Sequence, residues 1–113
     1  ALNNYPVWGG LEQPVEYGKI AMKLDQTRGF LPGKNFWITE QLIGAQAHTI
    51  MGYLPRPGQA RLWSWQAMLH GCNNLIYFRW RNETKGSVLF FYGVLDHVNL
   101  DGPRYKEMQQ VTN

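Results

Sequence analysis

Apolar residues recur at Tyr17, Ile20, Ala21 and Leu24, one face of a helical period, so a helix is expected from about Glu16 to Arg28. Pro14 stands just ahead of its first turn, and Gly29, Pro32 and Gly33 stop it. Asn35-Phe36-Trp37-Ile38-Thr39-Glu40 is a short aromatic and β-branched run ending on a carboxylate, the pattern of a buried strand. Gln59 to His70 predicts a second helix, with Leu62, Trp65, Met68 and Leu69 on its apolar face and Gly71 as its stop. Asn74 to Trp80 predicts a second buried strand. Ahead of these, residues 1–13 mix Asn, Pro and Gly around Tyr5, Val7 and Trp8, which reads as a strand end entering a loop. Residues 41–58 form a long loop rich in Gly and Pro, of the kind that is functional or mobile. A second loop, from Arg81 to about Asn99, carries Val88-Leu89-Phe90-Phe91-Tyr92, and a last helix is expected from Arg104 to Val111.

Strands alternating with helices imply an α/β fold with parallel pairing and right-handed crossovers. Both complete strands are apolar nearly throughout, as a sheet covered by helices requires. In a (β/α)8 barrel the reactive groups sit at the C-terminal ends of strands and in the loops after them, where Glu40 and both long loops fall. A flavodoxin-like sheet shows the same alternation. Three strands cannot close a barrel, which would need about five more strand–helix units.

Composition sharpens this picture in one respect. Five Trp, six Tyr and five Phe among 113 residues suit either a packed core or a cleft that stacks on flat ligands. The net charge of +3 comes from scattered residues, densest at Arg79, Arg81 and Lys85, not from the basic stripe that nucleic acid requires. Cys72 is alone, so neither an internal disulfide nor a multi-cysteine zinc site is expected. No run approaches the roughly 20 apolar residues of a membrane span, and no leader peptide is expected from the start Ala1-Leu2-Asn3-Asn4-Tyr5-Pro6. A cytoplasmic location without membrane contact is expected, and the chain reads as a portion of something longer.

Glu40, where an apolar strand meets its loop, suits a nucleophile, a general base or a metal ligand. The plainer reading is a strand-end Glu that faces solvent or pairs with Arg79 or Arg81 on the next strand. A glycosidase needs two carboxyl groups, and none of Glu12, Glu16, Asp25, Glu83, Asp96, Asp101 and Glu107 ends a predicted strand. Arg79 suits a bidentate carboxylate fork, and Trp80 either a platform under a sugar or a rim aromatic. His48, His70 and His97 are too dispersed for a metal motif, so no metal or other cofactor is expected. Asp96-His97 suggests a dyad, but no Ser or Cys elbow accompanies it.

Taken together, several stretches are similar to one known family. Phe36-Trp37-Ile38-Thr39-Glu40-Gln41 resembles the strand-7 nucleophile motif of glycoside hydrolase family 42, the β-galactosidases. Pro57-Gly58-Gln59-Ala60-Arg61-Leu62-Trp63-Ser64-Trp65-Gln66-Ala67 with His70-Gly71 looks like that family's next helix. Tyr77-Phe78-Arg79-Trp80-Arg81 resembles its strand 8, and Gly93-Val94-Leu95-Asp96-His97 the segment beyond. Asn4-Tyr5-Pro6 is similar to its strand-6 ending and Asp25-Gln26-Thr27-Arg28-Gly29 to the helix after it.

The resemblance implies that residues 1–113 are the C-terminal portion of a glycoside hydrolase (β/α)8 catalytic domain, from about the end of strand 6 through helix 8. It implies a retaining mechanism with Glu40 as nucleophile, an acid/base outside these residues, and a carbohydrate substrate, a β-galactoside or a related β-glycoside. Tyr5, Trp80, Arg79 and His48 are the substrate contacts it suggests, and family members are commonly homotrimers. Two departures bear on the sugar. His48 stands near the place of the family's stacking Trp. Leu89 and Tyr92 occupy places where a Glu and a His hold galactose hydroxyls, and each lost contact costs about 1–3 kcal/mol of discrimination. The alternative is a non-catalytic carbohydrate-binding or degenerate barrel protein.

Overall fold

A computed structural model describes residues 1–8, 14–48, 50–98 and 101–113. Its elements are β1 (Leu2–Asn4), α1 (Tyr17–Gly29), β2 (Phe36–Leu42), α2 (Gln59–Leu69), β3 (Cys72–Phe78) and α3 (Pro103–Thr112). The strands form one parallel sheet in the order β1-β2-β3, and α1 and α2 are the crossovers that parallel neighbours need. The α/β expectation holds.

One face of the sheet is covered. Ile20 and Leu24 of α1, Phe36, Ile38 and Leu42 of β2, Trp63 and Ala67 of α2, and Cys72 form a buried cluster, with Leu2, Tyr5 and Leu75 packed against it. Each large aliphatic or aromatic side chain buried this way contributes about 1.5–3 kcal/mol. A second cluster of Ile43, Ala60, Val94 and Met108 seats α3. Gly71 takes a φ of +98°, the left-handed turn that ends α2 and that a side chain would strain.

The structure corrects the face assigned to α2. Ala60, Trp63, Ser64 and Ala67 are the buried residues, whereas Leu62, Trp65, Met68 and Leu69 are 48%, 49%, 37% and 81% exposed. Both sets lie at helical spacing, so periodicity could not choose between them. The small stripe wins because Ala60, Ser64 and Ala67 let the helix sit close to the sheet while Trp63 fills the space between.

Strand β3 begins and ends two residues earlier than the apolar run suggested, so Arg79-Trp80-Arg81 lies beyond it. The carbonyl oxygens of Arg79 and Trp80 accept the amides of Val94 at 2.8 Å and Leu95 at 3.0 Å, and are thus committed to the returning loop. The loop after β2 is not uniformly loose either. Ile43, Gly44, Ala45, Gln46 and Ala47 are buried, tied by Tyr92 N–H to the Ala45 carbonyl at 2.9 Å and by Gln46 Nε2 to the Phe78 carbonyl at 3.0 Å. Gly44 permits this crossing: a Cβ there would stand 2.7 Å from the Cβ of Tyr92.

Candidate active site

Strict alternation along β2 would carry Glu40 into the core. Phe36 and Ile38 are 4% and 0% exposed against the helices, and position 40 is in phase with them. An irregularity intervenes. Against β1, Leu2 pairs with Ile38 but Asn3 with Glu40; against β3, Ile38 pairs with Leu75 and Gln41 with Tyr77. One extra residue in β2 relative to both neighbours is a bulge, which re-aims the side chains at that point of the strand. Neighbours in register share a face. Leu2 packs on the core, so Asn3 and Glu40 lie on the face the helices leave open.

Three links tie the end of β1 to this bulge. Thr39 Oγ1 donates to Asn3 Oδ1 at 2.8 Å, and Asn4 Nδ2 donates to Gln41 Oε1 at 2.9 Å, the latter pair 2% and 0% exposed. The third is the Tyr5 hydroxyl, which donates to Glu40 Oε2. Burial, then the hydrogen bond to Glu40 and its charge, push the Tyr5 phenol well above its ordinary value, so it remains a donor at neutral pH. Glu40 is half-buried, and among the described residues it pairs with no arginine. Arg79 bonds Glu83 instead.

Aromatic rings continue outward from Tyr5. Its ring centroid lies 5.1 Å from that of Trp8, and Trp8 lies 5.4 Å from His48 and 5.5 Å from Phe91. His48 and Phe91 are 5.0 Å apart, and Phe78 is 5.6 Å from Phe91. Four separate segments therefore meet here: the end of β1, the loops after β2 and β3, and the last residue of β3.

Of the expected contact residues, Tyr5 and His48 join this group directly. Arg79 reaches it only through Phe78, with its guanidinium carbon 5.4 Å from that ring centroid. Trp80 stands elsewhere, with its ring 6.2 Å from Tyr105 of α3. In the run Leu89 to Tyr92, the ring that enters the group is Phe91; Tyr92 faces His97 at 4.9 Å. Sequence reasoning missed Trp8 and Phe91, whose only signal was aromatic character in loops. Asp96 and His97 form no dyad with each other: Asp96 Oδ1 accepts the Val98 amide, and His97 Nδ1 lies 3.1 Å from Asn82 Nδ2. Among the described residues no cluster of His, Cys, Asp and Glu could hold a metal ion, and no helix is long and apolar enough to cross a membrane.

Comparison with known proteins identifies the family of the chain. The family model for glycoside hydrolase family 42, described as β-galactosidase, matches residues 2–113. The β-galactosidase BgaA of Clostridium cellulovorans is 36% identical over 110 residues, 96% of this chain and 16% of that protein. A β-galactosidase of Thermus thermophilus is 42% identical over 57 residues, 50% of this chain and 9% of that protein. The crystal structure of the β-galactosidase from Bacillus circulans sp. alkalophilus superposes with a TM-score of 0.81 at 28% identity, over 96% of this chain and 16% of that one. That of the enzyme from Rahnella sp. R3 superposes with a TM-score of 0.82 at 28% identity and the same coverage. The chain thus spans about 16% of the length of the first relatives it matches. By sequence along nearly its whole length, and by fold, the chain belongs to glycoside hydrolase family 42, the β-galactosidase family.

Proposed function

We propose that this chain is the nucleophile-bearing portion of a retaining, β-galactosidase-like (β/α)8 catalytic barrel, running from the end of the sixth strand through the eighth helix. The observation that carries the reading is the bulge in β2, which takes Glu40 off the helix-covered side and sets it beside Asn3 under the Tyr5 hydroxyl. The open face also displays Trp37 and Ile76 at 50% and 45% exposure, apolar surface that further strands would cover.

In this reading a Glu40 carboxylate oxygen attacks the anomeric carbon of a β-glycoside. The bond from that carbon to the aglycone oxygen breaks, and a second carboxylic acid outside these residues supplies the leaving oxygen with its proton. Water then displaces Glu40 from the glycosyl-enzyme, with the same second group acting as base. Tyr5 holds Glu40 Oε2, which leaves the other oxygen to attack. His48 borders the cleft, Arg79 supports it through Phe78, and Trp80 braces the rim against Tyr105.

Glu40→Gln in the full-length protein should lower kcat/KM on nitrophenyl β-galactoside by roughly a thousandfold or more. A 2-deoxy-2-fluoro glycoside should leave a covalent adduct on the peptide containing Glu40. Turnover like that of the unaltered protein, or an adduct elsewhere, would sink the assignment. Leu89 and Tyr92, at places where the family holds galactose hydroxyls, favour a second reading as a sugar-binding protein without catalysis. In that case no adduct forms.

A further inference from the structure

We propose that the buried amide pair Asn4–Gln41 is a positioning clamp, which fixes the register in which the Tyr5 hydroxyl meets Glu40 and so sets the rate of the chemical step. The inference rests on the reading of Glu40 as nucleophile and adds two positioning residues to it. Asn4 Nδ2 donates to Gln41 Oε1 at 2.9 Å, and both side chains are buried. Each is the chain neighbour of a residue of the site, Asn4 of Tyr5 and Gln41 of Glu40. Adjacent residues therefore join the same two segments twice, once by the amides and once by the Tyr5 hydroxyl.

Stability alone does not account for amides at this place. Ile38 and Leu42 of the same strand are buried in the apolar core. Two apolar side chains of similar size would remove as much surface from water as Asn4 and Gln41 do, without desolvating two amides. What the amides add is direction. Gln41 is held at both ends, because its Nε2 also donates to the Leu42 carbonyl at 3.3 Å.

The bulge is what makes direction necessary. Between Leu2 and Asn3 the pairing jumps from Ile38 to Glu40, and it continues one for one with Asn4 against Gln41. One residue out of register, Asn4 would stand opposite Glu40 or Leu42 and lose its amide partner. The Tyr5 hydroxyl would move by one strand residue, about 3.3 Å, out of reach of Glu40 Oε2. Strand β1 is only three residues long, so few backbone bonds oppose such a slip. The Thr39–Asn3 bond is exposed, and water competes for its partners. The buried amide pair is the link that penalises the wrong register.

The test compares kcat and KM for nitrophenyl β-galactoside in the full-length protein and its variants. Asn4→Leu combined with Gln41→Leu replaces both amides by apolar groups of similar size, which removes the bond without leaving one amide buried and unpaired. The kcat should fall roughly 3- to 10-fold, by no more than Tyr5→Phe itself causes. Affinity for methyl 1-thio-β-D-galactopyranoside should stay within about twofold of its original value. Added to Tyr5→Phe, the same two substitutions should lower kcat by a further factor of less than about two, because the bond they act through is already gone. A pair that only supported the fold would show its full loss again in that background. Unchanged kcat, a loss confined to KM, losses that multiply, or a doubly substituted protein that does not fold each overturn the clamp. The covalent adduct left by a 2-deoxy-2-fluoro glycoside on the unaltered protein keeps the two readings apart. An adduct on Glu40 alongside any of those results removes the clamp alone, whereas an adduct elsewhere removes the assignment on which it rests.

Discussion

Replacing Tyr5 by Phe removes a single oxygen from the site and leaves the ring that contacts Trp8. That oxygen donates to Glu40 Oε2 from a half-buried position. A hydrogen bond to a charged group contributes about 1.5–3 kcal/mol when fully desolvated, and partial exposure places this one at or just below the lower end. About 1.4 kcal/mol is a factor of ten. The expected result is therefore a roughly tenfold fall in kcat/KM for nitrophenyl β-galactoside. With Glu40 as the proposed nucleophile, the fall should appear mainly in kcat, because Tyr5 would then position the attacking carboxylate and not the ground-state sugar. The affinity for methyl thiogalactoside should change by less than about twofold. Activity within twofold of the unaltered protein, or a loss confined to KM, would refute the positioning argument.

The packing and the titration of the same chain lead to three further outcomes. Leu62→Gln on the exposed face of α2 should change stability by no more than about 0.5 kcal/mol, whereas Ala67→Leu on the buried face should cost about 1–3 kcal/mol; urea unfolding midpoints compare them. Gly44→Val should prevent the loops after β2 and β3 from crossing, with loss of the Tyr92–Ala45 hydrogen bond, seen as faster amide exchange at Tyr92. The Tyr5 phenol is raised above its ordinary 10.0, so its contribution to stability is complete below that pH. At higher pH the unfolded chain's phenol ionises first and the contribution is progressively lost. The stability difference between the unaltered protein and Tyr5→Phe should accordingly shift against the unaltered protein above pH 10, and a pH series of urea midpoints reads it.

The local code carried a good part of the architecture. The helical spacing of Ile20 and Leu24 is what buries α1, Gly71 does end α2, and the apolar run before Glu40 is a strand whose last residues reach the site. These are short-range effects, in which the side-chain period and the conformational range of single residues act within one turn or one strand. The Phe-Trp-Ile-Thr-Glu-Gln run likewise pointed to the family that the comparisons show.

Other features depend on partners far apart in the chain. The bulge that turns Glu40 to the open face arises from how β2 registers against β1 and β3 together, and no window around position 40 contains that information. The buried face of α2 was settled by the fit of Ala60, Ser64 and Ala67 to the sheet, because two stripes of equal period competed for it. Trp8, His48 and Phe91 are brought together from loops separated by some forty residues each, while Trp80, which looked better placed, turns to Tyr105 once the Arg79 and Trp80 carbonyls bond the returning loop. Periodicity specifies which side chains seek an apolar neighbour. Which neighbour each one finds, and on which side of the sheet a carboxylate emerges, is set by pairing register and steric fit across the assembled fold.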